Sequence, residues 1–428
     1  MLIKPIKKIK QAITVPGDKS ISHRAIMLSS LAEGESKIIN FLKGEDCLGT
    51  VTCFRKMDVP IEITAYGVKV RGLGLKGLQR PGTVLDVGNS GTTIRLMSGI
   101  LAGQAFDSEI TGDESIQKRP MDRIIAPLRQ MGGIIYGSSK DNYPPLKIEG
   151  RKLKGIRYAL PVASAQVKSA ILLAGLFGEG TTTVVETQKS RDHTERLLRY
   201  MEADLEQQGL SVSLKPVTKL QAKEIYVPGD ISSAAFFLVL GAIAEDGQIT
   251  LENVGLNPTR TGIIDVLKKM GAELTIFNQK IVNGEPMGDI FVASSELKGI
   301  EIGGDLLPRV IDEIPVIAVA AVFAKGLTTI KNAEELRVKE TDRITAIVTE
   351  LKKIGAKITE TEDGMIIEGT GKLYGGEINS YRDHRMAMAL TIAGLVSQEG
   401  VIIDDPQCVA VSYPNFWDKG TGVLSQIR

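Results

Sequence analysis

One six-residue phrase occurs twice in this chain with a single change. Val15–Ser20 reads VPGDKS and Val227–Ser232 reads VPGDIS, with starts 212 positions apart in 428 residues. Each copy is followed by an apolar run, a Gly-bearing turn and a second apolar run, from Ala25 and from Ala234. A phrase repeated with its context marks a duplicated building block, and every copy must then bury equivalent faces.

The block recurs after Asn89, Ala163, Asp312 and Asp383, at intervals of 71, 74, 67, 82 and 71 counted from Asp18 through Asp230. Between the copies lies a second helical pattern ending in Gly, from Arg119, Thr259 and Glu340, as helix C-termini prefer. The expected fold class is α/β, with six βαβαββ-like units, three per half. Asp or Asn near the start of each apolar helix suits an N-cap. Pro and Gly make the two phrases natural crossing points. The expected domains are 1–17 with 228–428, and 18–227. The first fifteen or so residues supply the β-stretch that the last unit lacks.

At this length two cores are expected, since single cores stop growing near about 250–300 residues. Lys+Arg number 52 against 51 Asp+Glu, a net charge of +1, so no global field attracts nucleic acid or membrane. Three cysteines make no disulfide framework. The segment MLIKPIKKIK lacks the apolar core of a secretory signal, and no run of 18 apolar residues exists. The expectation is a cytoplasmic protein with neither membrane nor nucleic-acid partner. Gly72, Gly74 and Gly77 fit a dinucleotide-loop spacing, but Gln79–Gly82 (QRPG) denies the helix that must follow. His23, His193 and His384 have no metal-ligand spacing, and no metal is expected.

Cations gather at the repeat junctions: Lys19 and Arg24, Lys118 and Arg119, Lys168, Arg191, Arg337, Lys339 and Arg343, Arg382 and Arg385. Helix N-termini favour anions, and Arg grips phosphate or carboxylate bidentately. Two acids accompany them. Asp312 is either an N-cap or a functional carboxylate. Glu340 is either a favourable first-turn acid or a proton-transfer group beside fixed cations.

The motifs GDKSISHR, GNSGTTIR, GDESIQKRPM, SAQVKSA, SRDHTER, IDEIP, RVKETDRI and DHRMAMA, in that order, resemble those of the 5-enolpyruvylshikimate-3-phosphate synthase family, nearer its second sequence class. The resemblance implies two domains of three βαβαββ units with the active site in the interdomain cleft. It also implies transfer of the enolpyruvyl group of phosphoenolpyruvate to the 5-hydroxyl of shikimate 3-phosphate, in the pathway to the aromatic amino acids, by a monomer without cofactor. It assigns phosphoenolpyruvate contacts to Lys19, Asn89, Gly91, Arg119, Gln166, Arg343 and Arg385. Shikimate 3-phosphate falls to Lys19, Ser20, Arg24, Ser164, Ala165, Gln166, Arg191, Asp312 and Lys339. The catalytic work falls to Asp312, Glu340 and Lys19. Gly91 keeps the small residue that leaves room for glyphosate. Val411 stands where the first class has a Lys, and His193 and Glu335 where it has Tyr and Asn. A UDP-N-acetylglucosamine enolpyruvyl transferase would carry a Cys within the stretch 115–121, which has none. A non-catalytic phosphosugar-binding module would gain nothing from Asp312 and Glu340.

Overall fold

A computed structural model describes residues 1–417; the residues from Asp418 onward, placed by the sequence in the first domain, lie outside the described part. The chain divides into two compact units. One holds Met1–Pro16, Pro228–Ile281 and the residues from Pro286 on; the other holds Gly17–Val227 with Val282–Glu285. No sequence pattern signals that the four-residue hairpin tip joins the second unit.

One four-stranded sheet is built five times, and a sixth copy has three strands. In the second unit the strand orders are Glu224–Tyr226, Glu33–Ile39, Gly67–Leu73, Ile61–Thr64; then Leu85–Asp86, Ser108–Thr111, Tyr143–Glu149, Ile134–Ser138; then Arg157–Ala159, Thr182–Val185, Ser211–Leu214, Leu205–Gln208. In each, the first pair is parallel and the other two are antiparallel. The first unit repeats this with Lys8–Thr14, Asp246–Gly255, Glu285–Ala293, Glu273–Val282, and with Glu301–Ile302, Leu327–Ile330, Gly364–Glu368, Lys357–Thr361. Its third sheet has three strands, Gly375–Ile378, Gly400–Ile403 and Leu2–Ile3. Leu2–Ile3 is thus the β-stretch expected from the chain start. Lys8–Thr14 departs from that expectation and pairs in parallel with Asp246–Gly255.

The strand before each VPGD phrase stays behind. Lys8–Thr14 leads into the first phrase yet completes a sheet whose helix follows the second. Glu224–Tyr226 leads into the second phrase yet pairs with Glu33–Ile39, which follows the first.

The six leading helices are Lys19–Leu31, Gly91–Ala102, Ala165–Gly175, Ile231–Ile243, Ile314–Val322 and His384–Val396. They are buried on nearly all sides; apart from Lys19–Leu31, which also buries His23, Arg24 and three serines, they are largely apolar, as a helix inside a core must be. In the first unit the three pack on one another; in the second, Gly91–Ala102 packs on both others. A Cβ on Gly99 would lie 2.2 Å from the Ala170 carbonyl oxygen, so glycine is what lets those two backbones touch. One apolar core fills each unit. Among the described residues no helix is long and apolar enough to cross a membrane.

The expected helix caps need three corrections. Asp18, Asp230 and Asp383 do accept from backbone N–H groups of their helices. After Asn89, however, it is Ser90 that caps, and Ser164 caps the next helix. Asp312 makes no cap: it sits in a 3-10 turn, and Pro315 occupies the helix start, where a missing N–H costs nothing. Glu340 is not a first-turn acid either, because Asp342 caps a helix that begins only at Arg343.

Candidate active site

Each unit has one pole at which the N-termini of its leading helices converge, shown by hydrogen bonds among their first turns. Such a pole gathers partial positive charge and orphan N–H groups.

In the second unit, Lys19 Nζ pairs with Asp46 Oδ2 at 2.7 Å. Arg119 donates to Asn89 Oδ1 at 2.9 Å and to Ser115 Oγ at 3.1 Å, while Asn89 donates to Asp113 at 2.7 Å. Arg95 donates to Gln166 Oε1 at 2.8 Å, and Gln166 donates to Thr92 at 3.1 Å. A Cβ on Gly91 would meet Arg95 Nη1 at 2.8 Å and Arg119 Nη1 at 3.1 Å. Its bare backbone therefore makes room for two guanidiniums side by side, and Asn89, Gly91, Arg119 and Gln166 form one group through Arg95.

Other members play different parts. Arg24 is buried, and donates to Thr194, to the Ser20 carbonyl and to Ser169. Ser164 spends its hydroxyl as a cap, with Ala165 opening the helix behind it. Arg191 is half-buried in the loop before the helix His193–Tyr200. Lys168, read as one of the anion-facing cations, is instead sealed between Glu186 at 3.0 Å and Glu195 at 2.6 Å. Burial drives the Glu195 carboxyl upward against the pull of Lys168. His23 Nδ1 lies 2.7 Å from Thr50 Oγ1. Burial, then Lys19 and Arg24, hold the ring well below the usual histidine range.

In the first unit one arginine gathers three acids. Arg343 is 1% exposed, and lies 2.8 Å from Asp383, 2.6 Å from Glu340 and 3.6 Å from Asp312. Burial opposes its charge, but Asp383, Glu340 and Asp312 outweigh it and raise its pKa. Arg385 donates to the Asp312 carbonyl at 3.2 Å and approaches its carboxylate at 3.8 Å. Glu313 is buried behind them, accepting from Ser232 Oγ. Burial first, and Asp312 also, push its carboxyl upward. Lys339 lies 3.5 Å from Glu335. Arg337, counted among the junction cations, is occupied with Asp342, Glu360 and two carbonyls.

Asp312, Glu340, Arg343 and Arg385 are thus brought together. A carboxylate released from capping, a second carboxylate and two fixed cations can bind an anion and move a proton. Asp46, Arg95, Glu313 and Asp383 are the partners that the sequence reading missed. Arg95 alone carried a usable signal, being one helical turn from Gly91 in GTTIR. Among the described residues no group of three His, Cys, Asp or Glu is placed to hold a metal ion.

Residues 3–419 match the family model described as EPSP synthase (3-phosphoshikimate 1-carboxyvinyltransferase). The chain belongs to the EPSP synthase family. It is similar to the 3-phosphoshikimate 1-carboxyvinyltransferase of Bacillus cytotoxicus, with 58% identity over 413 residues, covering 96% of this chain and 97% of the relative. The enzyme of that name from a Thermoanaerobacter species is 54% identical over 97% of this chain and 98% of its own. A solved EPSP synthase from Acinetobacter baumannii matches with a TM-score of 0.87 and 49% identity, over 97% of this chain and 96% of that one. As a member of the EPSP synthase family the chain carries Val411 in a 3-10 turn, Pro406–Val411. Beyond that turn Tyr413, Phe416 and Trp417 form an aromatic cluster, joined by Phe237.

Proposed function

We propose that this chain transfers the enolpyruvyl group of phosphoenolpyruvate to the 5-hydroxyl of shikimate 3-phosphate and releases phosphate. Membership of the EPSP synthase family supports the reading, and the observation that carries it is Asp312. At the one leading helix start without a side-chain cap, a carboxylate is turned toward Arg343 and Arg385. Pure anion binding gains nothing from that placement, whereas proton transfer needs it.

The reaction adds a proton to the methylene carbon of phosphoenolpyruvate, leaving a cationic centre at the carbon bearing phosphate. The 5-hydroxyl oxygen bonds to that centre as its proton passes to Asp312. The tetrahedral adduct then loses a methyl proton and expels phosphate, restoring the double bond. Glu340 with Lys19 serves the methylene protonation and its reversal. Lys19, Asn89, Gly91, Arg119, Gln166, Arg343 and Arg385 hold phosphoenolpyruvate. Lys19, Ser20, Arg24, Ser164, Ala165, Gln166, Arg191, Asp312 and Lys339 hold shikimate 3-phosphate. Each compact unit acts as one domain, and the working form is a monomer in the cytoplasm.

The test is phosphate release from phosphoenolpyruvate with shikimate 3-phosphate as acceptor, run beside UDP-N-acetylglucosamine. Release with the first acceptor alone is expected. No release, or release only with the second, overturns the reading.

A further inference from the structure

The loop Asn379–Asp383 holds a backbone that its own residues disfavour. Tyr381 and Arg382 both lie at φ 56, in the left-handed region that bulky side chains rarely enter, so their surroundings must hold them there. Part of the hold comes from Asp404, whose Oδ1 accepts from the Ser380 N–H at 2.6 Å; at Asn379, Tyr381 and Asp383 it comes from the helix Arg343–Lys353. At its start Arg343 Nε donates to Asp383 Oδ2 at 2.8 Å. Two turns on, Glu350 Oε1 accepts from the Tyr381 hydroxyl at 2.8 Å and Glu350 Oε2 from the Asn379 N–H at 2.9 Å.

Glu350 is fully buried, and Lys353 balances its charge at 2.8 Å. Within the loop, Asn379 Oδ1 accepts from the Tyr381 N–H at 2.6 Å and Ser380 Oγ from the Arg382 N–H at 3.3 Å. Outside it opens a cavity of about 830 Å³, lined by Thr341, Asp404 and Asp405 as well as by the loop, so among the described residues no side chain packs over Tyr381 and Arg382 from there to replace the Glu350 anchor. Burial, and then Glu350, push the Tyr381 phenol up to about 12; it therefore stays a donor at neutral pH.

We propose that Glu350 is a positioning residue of the site. Through Tyr381 and Asn379 it holds the left-handed turn that aims Asp383 at Arg343 and sets the first turn of the helix carrying Arg385. The proposal rests on the reading that Arg343 and Arg385 meet phosphoenolpyruvate. Releasing the turn frees Asp383 to swing, and both guanidiniums lose their alignment, although neither is altered.

Tyr381→Phe and Glu350→Gln test this with each substrate varied in turn. The phenylalanine keeps the ring and loses the donor; the amide keeps the size and replaces an acceptor with a donor. The KM for phosphoenolpyruvate should rise by about 5–50-fold, within the range that small misplacements produce, while the KM for shikimate 3-phosphate stays put. Arg382→Gly added to Tyr381→Phe, compared with Arg382→Gly alone, should recover most of the loss, because glycine adopts the left-handed turn without an anchor.

Unaltered KM values in both variants overturn the proposal. So does a parallel rise in both KM values with a falling thermal midpoint and no recovery by glycine, which marks a merely structural role. Wild-type enzyme in the same assay separates the failures. If it releases no phosphate, the transferase reading falls and takes this proposal with it; if it turns over while the variants match it, only this proposal falls.

Discussion

Arg343 Nε donates to Asp383 Oδ2 at 2.8 Å with both side chains sealed from water. Asp383 meanwhile accepts from the Arg385 N–H with its other oxygen. One carboxylate therefore fixes a cation of the site and caps the helix that supplies a second.

Asp383→Asn separates those two duties. Asparagine still caps a helix, but the buried arginine loses a charged partner. Breaking a buried pair costs about 3–5 kcal/mol; with Glu340 and Asp312 remaining, the lower end is expected in urea denaturation. Asp383→Ala should lose about 1 kcal/mol more, for the cap. Wild-type stability in Asp383→Asn would deny the pair a structural role.

Asp312→Asn and Glu340→Gln should keep the fold and the binding of both substrates, and reduce turnover by about 10²–10⁴-fold. Steady-state kinetics beside calorimetric titration reads both quantities. A loss under about tenfold in both variants, with binding intact, removes these acids from proton transfer.

Arg191→Ala should weaken binary binding of shikimate 3-phosphate. One charge-assisted contact is worth about 1.5–3 kcal/mol, about 10–150-fold in affinity. Calorimetry without the second substrate measures it, and an unchanged affinity rejects the assignment.

His23 gives a pH dependence. Unfolded, the ring takes a proton below about pH 6.5; folded, burial with Lys19 and Arg24 keeps it neutral far below that. Its contribution is complete above about pH 6.5 and is lost as the pH falls toward the folded value. Glu195 and Glu313, with raised folded values, act in the opposite sense. The measurement is therefore the difference in unfolding free energy between wild type and His23→Gln, at pH 7.5 and stepwise below 6.5. That difference should move against the wild type on acidification, and a flat difference refutes the account.

In five of the six repeats the second helix is followed by a left-handed residue. Gly132, Gly271 and Gly355 take φ 93, 95 and 96, but Asp58 and Glu202 take φ 65 and 70. A Cβ on Gly271 meets nothing closer than 3.5 Å, so Gly271→Ala isolates the backbone term, about 1–2 kcal/mol. Asp58→Gly should move the thermal midpoint upward. The opposite sign in either variant rules out conformational strain as the cause.

Those residues also explain which helices were legible. The Gly-ended helices from Asp122, Gly262 and Arg343 announced themselves, whereas Glu45–Arg55 and His193–Tyr200 end on Asp58 and Glu202 and gave no such mark. The leading helices were readable because a polar residue precedes a long apolar run, though the neighbour Ser90 took the cap that Asn89 was given. Within the site, Asp312 and Glu340 were visible as acids beside cations. Asp46, Glu313 and Asp383 were not, because an acid that pairs a cation in a buried site has the same local sequence as an acid on a surface. Lys168 failed in the reverse direction, its partners Glu186 and Glu195 being 18 and 27 positions away.

The strand Lys8–Thr14 has to wait. Its parallel partner begins only at Asp246, and at about 5–20 residues per second that partner leaves the ribosome roughly 10–50 s after it. Until then that edge, with Ile9 and Ile13 meant for the core, stands unpaired, while the core of Gly17–Val227 has all but four of its residues and can close. Vectorial synthesis therefore imposes an order on two units that duplication made alike: the middle of the chain folds before its beginning does.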